Sequence, residues 1–230
     1  MKFGTGQSIT RVEDARLLTG HGRYTDDLAR EGMLYGATLR SPHAHAEILD
    51  IDVSAALEVP GVVAVYVHKD IKGYGPIPCL VPLSGPVKTP RLLLADTHVR
   101  FVGDGVAFVV AETREAARAG CEAIYVDYRE LPAVASLDAA LAPGAPMIWP
   151  EAQGNNLFDW QVGDGAAAQA ALAGSAHVTR LRIVQNRVAP TSMEVRAALG
   201  EYDADHGFTL STGSQGVSGM RAQLAKVVLG

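Results

Sequence analysis

Short apolar runs, broken by glycine, proline and acidic turns, set the pattern of the first half of the chain. Met33 to Arg40 alternates loosely and, after Ser41 and Pro42, Ala46 to Ile51 resumes the extended pattern, so both are expected as strands. Ala55 to Glu58 follows as a short helix, with Asp52 or Ser54 as its cap and Pro60-Gly61 as its stop. Val62 to Val67 is β-rich, apolar and short, the signature of a buried strand. Val99 to Val102 and Val106 to Ala111, joined by Gly103-Asp-Gly105, read as a hairpin, because Asp-Gly favours tight two-residue turns. Thr113 is placed to cap a helix from Arg114 to Ala123, with Glu115 in its first turn and a small inner face of Ala116, Ala119, Gly120 and Ala123. Ile124 to Tyr128 is a further strand. Strand, helix and strand around a mixed sheet predict one α+β unit from roughly Gly20 to Ala135.

The first residues, Gly4 to Arg30, are polar and dotted with glycine; Arg11 to Leu18 is expected as a short helical turn and Gly20 to Asp27 as loop. Five prolines between Gly73 and Pro90 exclude a helix or central strand there and mark a long loop, a lid or arm if not a plain surface excursion. Pro143 to Pro150 reads as an inter-domain linker. Beyond it, Gly163-Asp164 and Gly174 bracket an alanine-rich helix, Ala166 to Leu172. His177 to Val188 is a long extended run, with Arg180 and Arg182 on one side and Leu181 and Ile183 on the other. Ala197 to Tyr202 and Phe208 to Ser211 flank the hairpin turn Asp203 to Gly207, and Met220 to Leu229 is helix-like. This second unit has too few strands to complete a sheet, so more chain or another subunit is expected to complete it.

Composition narrows the class. The chain has 230 residues, 48% hydrophobic and 20% charged, enough for a sizeable core. A formal net charge of −5 argues against a dedicated nucleic-acid binder or an anionic-membrane binder. Cys79 and Cys121 form no CxxC, so no zinc or iron–sulfur pattern is present, and two free thiols are expected. No apolar run reaches the roughly 18 residues of a membrane span, and the opening residues carry no signal-peptide core. A cytoplasmic location is the resulting expectation.

The most distinctive stretch is Phe208 to Gly219, where a β-like run feeds a loop with Gly213, Gly216 and Gly219. Glycine admits close backbone approach, and the Gln215 carboxamide offers two donors and an acceptor. Both suit a polar ligand, yet by itself the pattern favours a plain strand-to-helix turn. Asp203 and Asp205 do not make a calcium loop, since the glycine is misplaced and no Glu closes the spacing. His43 and His45 lack a third metal ligand and read as structural or interfacial. Glu194 with Arg196 reads mainly as a sheet-stabilising or partly solvated pair, with a buried pair beside a ligand site as the minority reading, and Asp26 and Asp27 as loop-capping carboxylates, with a partner-subunit role as the minority reading.

Taken in order, several short segments resemble one family. They are Gly6-Gln-Ser-Ile, Arg11 to Gly20, Gly22 to Asp27, Arg40-Ser-Pro-His-Ala-His45, Pro60-Gly-Val62, Val99 to Gly103, Val126-Asp-Tyr128, Leu131 to Val134, Asn186 to Pro190, Met193-Glu194 and Glu201-Tyr-Asp203. The chain resembles the amino-terminal part of the molybdopterin-binding large subunit of the xanthine dehydrogenase, aldehyde oxidase and carbon monoxide dehydrogenase family. The resemblance implies an extension over residues 1–19, an α/β-hammerhead domain over 20–135, a linker over 136–160 and the incomplete start of a molybdenum-cofactor-binding domain over 161–230. It implies oxidation of a small substrate (an aldehyde, an N-heterocycle or carbon monoxide) with water-derived oxygen. Electrons would pass to 2Fe-2S clusters and FAD on partner subunits or domains. The metal is held by the pterin dithiolene, so no protein metal ligand is implied. Leu210 to Gln215 resembles the family's strand ending in Ser-Thr-Gln, whose glutamine approaches the molybdenum oxo group. That gives Gln215 a cofactor role, with Gly216 allowing close approach. Gly213 and Ser214 stand where many relatives have Ser-Thr. The family's catalytic glutamate has no counterpart in these residues, so no catalytic residue is assigned. Two other readings remain: a non-catalytic hammerhead docking module, and a truncated fragment without activity of its own.

Overall fold

In the computed structural model, residues 6, 8–78, 87, 89–186 and 188–229 are described. Cys79 and most of the proline-rich loop therefore lie outside the described residues. The described elements run in the order α1 (Asp14–Leu18), β1 (Tyr35–Arg40), β2 (Ala46–Asp52), α2 (Ser54–Leu57), β3 (Val62–Val67), β4 (His98–Val99), β5 (Gly105–Ala111), α3 (Arg114–Ala123) and β6 (Tyr125–Glu130). They continue with α4 (Leu137–Leu141), α5 (Gly165–Ala173), β7 (Ala198–Asp203), β8 (Gly207–Thr212) and α6 (Val217–Gln223), the last running into a π-helical turn, Leu224–Val228.

The chain divides into two compact units, Met33–Leu181 with Ser218–Gly230, and Met1–Gly32 with Arg182–Val217. In the first, two three-stranded sheets take the orders β1-β5-β3 and β4-β2-β6. Every pairing between these strands is antiparallel, so the expected mixed sheet is corrected. The expected β4–β5 hairpin is corrected too. β5 is a central strand with both edges taken, by β1 and by β3, while β4 pairs with β2 in the other sheet. The turn between them is held by other partners. Arg100 N donates to Asp104 Oδ2 at 3.1 Å, Gly103 N to the Ser41 carbonyl at 2.8 Å, and Ser41 N to the Asp104 carbonyl at 2.8 Å. Gly103 has φ +96°, which a side chain would strain.

Neighbouring residues of β5 face opposite ways. Ala107 and Val109 join a core of Ala56, Val67, Cys121 and Ile124, whereas Val106 joins Ala46, Ala95 and Val99. Helix α3 closes the first core. Thr113 accepts the Ala116 N–H at its start, as expected. Its buried face is Ala117, Gly120 and Cys121; Ala119 is exposed. The face is turned from the expected one because Cys121 and Ile124 bring the larger apolar volume. Gly120 lies so close to the sheet that a Cβ there would meet Val109 Cγ1 at 2.8 Å and Val62 Cγ2 at 2.9 Å. Neither Asp52 nor Ser54 caps α2 with its side chain; Asp52 instead accepts both the N–H and the hydroxyl of Ser54.

The Pro143–Pro150 stretch is tied down. Asn155 donates to the carbonyls of Ala140 and Pro146 and accepts from Ile148 N, and Arg100 stacks 3.8 Å over Trp149. Asp164 accepts the Ala167 N–H to start α5, and Gly174 ends it. The expected extended run over 177–188 joins no sheet among the described residues, and Leu181, Ile183, Val184 and Val188 are exposed.

In the second unit the β7–β8 hairpin pairs in the expected place, from Ala198↔Thr212 to Asp203↔Gly207. Asp203 Oδ1 accepts from the backbones of Asp205 and His206, and Gly207 supplies φ +75°. Arg30 Nε reaches Glu201 at 2.8 Å. Asp27 caps its turn by accepting the Tyr24 N–H at 2.8 Å, as expected.

Candidate functional site

The hairpin delivers the candidate site at the end of β8. Its register, carried one step past Ala198↔Thr212, brings Ala197 opposite Gly213. Thr212 Oγ1 fixes that end by donating to the Ala197 carbonyl at 2.9 Å. A cleft of about 570 Å³ opens there, with Glu194, Arg196, Thr212 and Gly213 among its walls. Glu194 Oε1 stands 3.5 Å from where a Gly213 Cβ would be. Ser192 Oγ holds the Glu194 carbonyl at 2.7 Å. Glu194 and Arg196 make no ion pair with each other among the described residues, and both side chains are exposed at the cleft.

Past Gly213 the loop turns on Ser214, whose Oγ accepts the Gly216 N–H at 3.0 Å. That hydroxyl occupies the donor a ligand would otherwise use, so Gly216 can offer open backbone but not its N–H. Nothing lies within 4 Å of a Cβ built on Gly216. Gln215 is exposed, with its carboxamide uncommitted among the described residues. Helix α6 begins at Val217, so Gly219 lies within the helix and not in the loop where the sequence pattern put it. The cleft residues Ser192 and Thr212 were not legible as site residues. The hairpin register was the one signal that could have found Thr212.

The histidine pair is structural. His45 Nδ1 contacts the Pro132 carbonyl at 2.9 Å and is buried, while His43 packs edge-on against Tyr128 and meets Glu130 at 3.3 Å. Cys121 is a free, buried thiol, and burial pushes its pKa up. Among the described residues no helix is long and apolar enough to cross a membrane.

Two antiparallel sheets closed by one helix, followed by a hairpin and glycine loop, define an α/β-hammerhead domain and the start of a molybdenum-cofactor-binding domain. The family model described as aldehyde oxidase and xanthine dehydrogenase, a/b hammerhead domain, matches residues 19–132. The molybdopterin cofactor-binding domain model matches residues 148–230. The chain is 35% identical over 212 residues to the carbon monoxide dehydrogenase large chain of Afipia carboxidovorans, covering 87% of this chain and 26% of that one. It is 36% identical to the nicotine 6-hydroxylase large subunit of Paenarthrobacter nicotinovorans, covering 86% of this chain and 24% of that one. The crystal structure of quinoline 2-oxidoreductase from Pseudomonas putida 86 matches with a TM-score of 0.81 and 38% identity, over 96% of this chain and 28% of that chain. The chain belongs to the xanthine dehydrogenase, aldehyde oxidase and carbon monoxide dehydrogenase family of molybdenum hydroxylase large subunits. It spans 26% and 24% of the length of the two curated relatives named.

Proposed function

We propose that this chain forms one wall of a molybdopterin cofactor site in an oxidoreductase. That enzyme would act on a small aldehyde, N-heterocycle or carbon monoxide and pass electrons to 2Fe-2S and FAD partners. The observation that carries the reading is the two family models lying in order along the chain, with the Gln215 loop in the second. The local residues fit such a group. The Gln215 carboxamide is exposed and uncommitted among the described residues, the backbone at Gly216 is open, and the adjoining cleft of about 570 Å³ carries Ser192, Glu194, Arg196 and Thr212 beside Val195 and two alanines.

When bound, the molybdenum centre supplies the two-electron oxidation with oxygen drawn from water. The protein's part here is orientation. The Gln215 carboxamide would hold the group by donating a hydrogen bond to one of its acceptor oxygens, and Ser214 keeps the loop turned by holding the Gly216 N–H. Thr212 and Ala197 anchor the strand from which the loop springs. The catalytic base lies outside these residues.

The test is Gln215→Ala in the complete enzyme. Losing one oriented donor at a reacting centre lowers kcat by about 10²- to 10³-fold, while molybdenum content by elemental analysis stays stoichiometric. Unchanged turnover in a fully loaded variant would remove Gln215 from the site.

A further inference from the structure

Two clefts in the hammerhead unit share a wall. The larger, about 560 Å³, opens on the face of the β1-β5-β3 sheet that bears Thr38, Phe108 and Tyr66. Thr38 pairs with Phe108, and Phe108 with Tyr66, so the three form one cross-strand row. Gly36 makes room for this row, because a Cβ there would strike the Phe108 ring at 2.3 Å. The smaller cleft, about 250 Å³, lies beside Arg100 and Trp149. Arg91, Leu92, Phe101 and Asp104 line both clefts, so two largely apolar chambers adjoin across a boundary that carries a guanidinium and a carboxylate.

The charge in these clefts is one-sided. Arg40, Arg91 and Arg100 stand against a single lining carboxylate, Asp104, in a chain whose overall charge is −5. Asp104 is already engaged, accepting the Arg100 N–H at 3.1 Å. Arg40 is fixed in place by donating to the Gly103 carbonyl at 2.9 Å, which leaves its other donors available. Arg91 makes no side-chain hydrogen bond among the described residues. The Arg100 guanidinium is stacked on Trp149, with Nη1 donating to the His98 carbonyl at 3.4 Å and standing 4.0 Å from Asp96, while its Nε–H is buried without an acceptor. A buried donor left unsatisfied on a charged group is unfavourable, and a planar oxyanion is its natural complement. Apolar walls with a few converging polar groups, at this volume, are the usual make-up of a small-molecule site.

We propose that the joined clefts bind a small amphipathic organic anion. Its carboxylate meets Arg91 and Arg100, and its aromatic or short aliphatic body covers the Tyr66–Phe108 row. This site rests on the hammerhead unit alone and stands or falls independently of Gln215.

The full-length protein is titrated by calorimetry with 2-naphthoate and with the neutral 2-naphthalenemethanol. Saturable naphthoate binding is expected, with the alcohol about tenfold weaker, the worth of one charge-assisted contact. Arg91→Gln, at an exposed position, weakens naphthoate by a similar factor and leaves the alcohol and Tm unchanged. Tyr66→Ala weakens both ligands. Equal affinity for acid and alcohol, or naphthoate binding untouched by Arg91→Gln, overturns the proposal. So does an assembled complex in which the clefts are shielded from hydrogen exchange and bind no naphthoate, because a neighbouring polypeptide is then the occupant.

Discussion

Asp203 and Asp104 carry opposite pKa shifts. At the hairpin tip, the His206 ring, with Nδ1 at 2.8 Å, and then the backbone N–H groups of His206 and Asp205 hold the Asp203 carboxyl below the usual range. A lowered folded-state pKa contributes stability above the unfolded value, which is lost as pH falls through the folded one. Asp104, in contrast, is raised, chiefly by desolvation, against the opposing pull of Arg100 and Arg91. Its contribution is fullest below the unfolded pKa and fades as pH rises through the folded value. The prediction concerns Asp203. Its side-chain carbon, followed by NMR, titrates below an ordinary aspartate, and His206→Ala moves the midpoint up while the backbone contacts keep part of the depression. A midpoint unmoved by His206→Ala would assign the whole effect to the backbone.

Between elements, the closest fit is between α3 and the sheet. Gly120→Ala places a methyl group 2.8 Å from Val109 Cγ1 and 2.9 Å from Val62 Cγ2, both on β-branched side chains with little freedom to turn away. The helical preference for alanine, at most about 1 kcal/mol, is smaller than the overpacking it meets, about 1–3 kcal/mol. Net destabilisation is expected in urea unfolding; a more stable variant would mean the helix can lift off the sheet freely. Elements of this kind were legible because their signals are local: Thr113 before an alanine-rich helix, Asp164 and Gly174 around α5, Asp203 to Gly207 between two short runs. The β4–β5 reading failed because Asp104-Gly105 imitates a hairpin turn, while the partners that use both edges of β5 lie 40 to 76 residues upstream. Gln215 stood out locally as a polar group in a glycine loop, but its cofactor role came only through resemblance. Glu194 and Arg196, the minority ligand-site pair of the sequence, line the cleft, but as exposed side chains and not as a buried pair.

Across the whole molecule, apolar burial is uneven, and that sets which parts hold fast. Both clusters of buried apolar residues fall within Met33–Leu181, on β5, α3 and the strands around them. From Leu181 to Val195 the apolar side chains Leu181, Ile183, Val184, Val188, Met193 and Val195 are instead exposed. Hydrogen-exchange protection follows buried, paired backbone, and amides without a partner exchange near their intrinsic rates. In the 230-residue chain, the amides of β5 and α3 are therefore expected to exchange slowest, close to the rate set by global unfolding. Those of β7 and β8 should be intermediate, since a two-stranded hairpin with exposed Tyr202 and Phe208 is marginally stable. Residues 183–186 should exchange within the first seconds. Mass spectrometry of peptic fragments separates these classes. Slow exchange over 183–186 would show a strand pairing absent from this fold, and would move the boundary of the stable core past the end of α5.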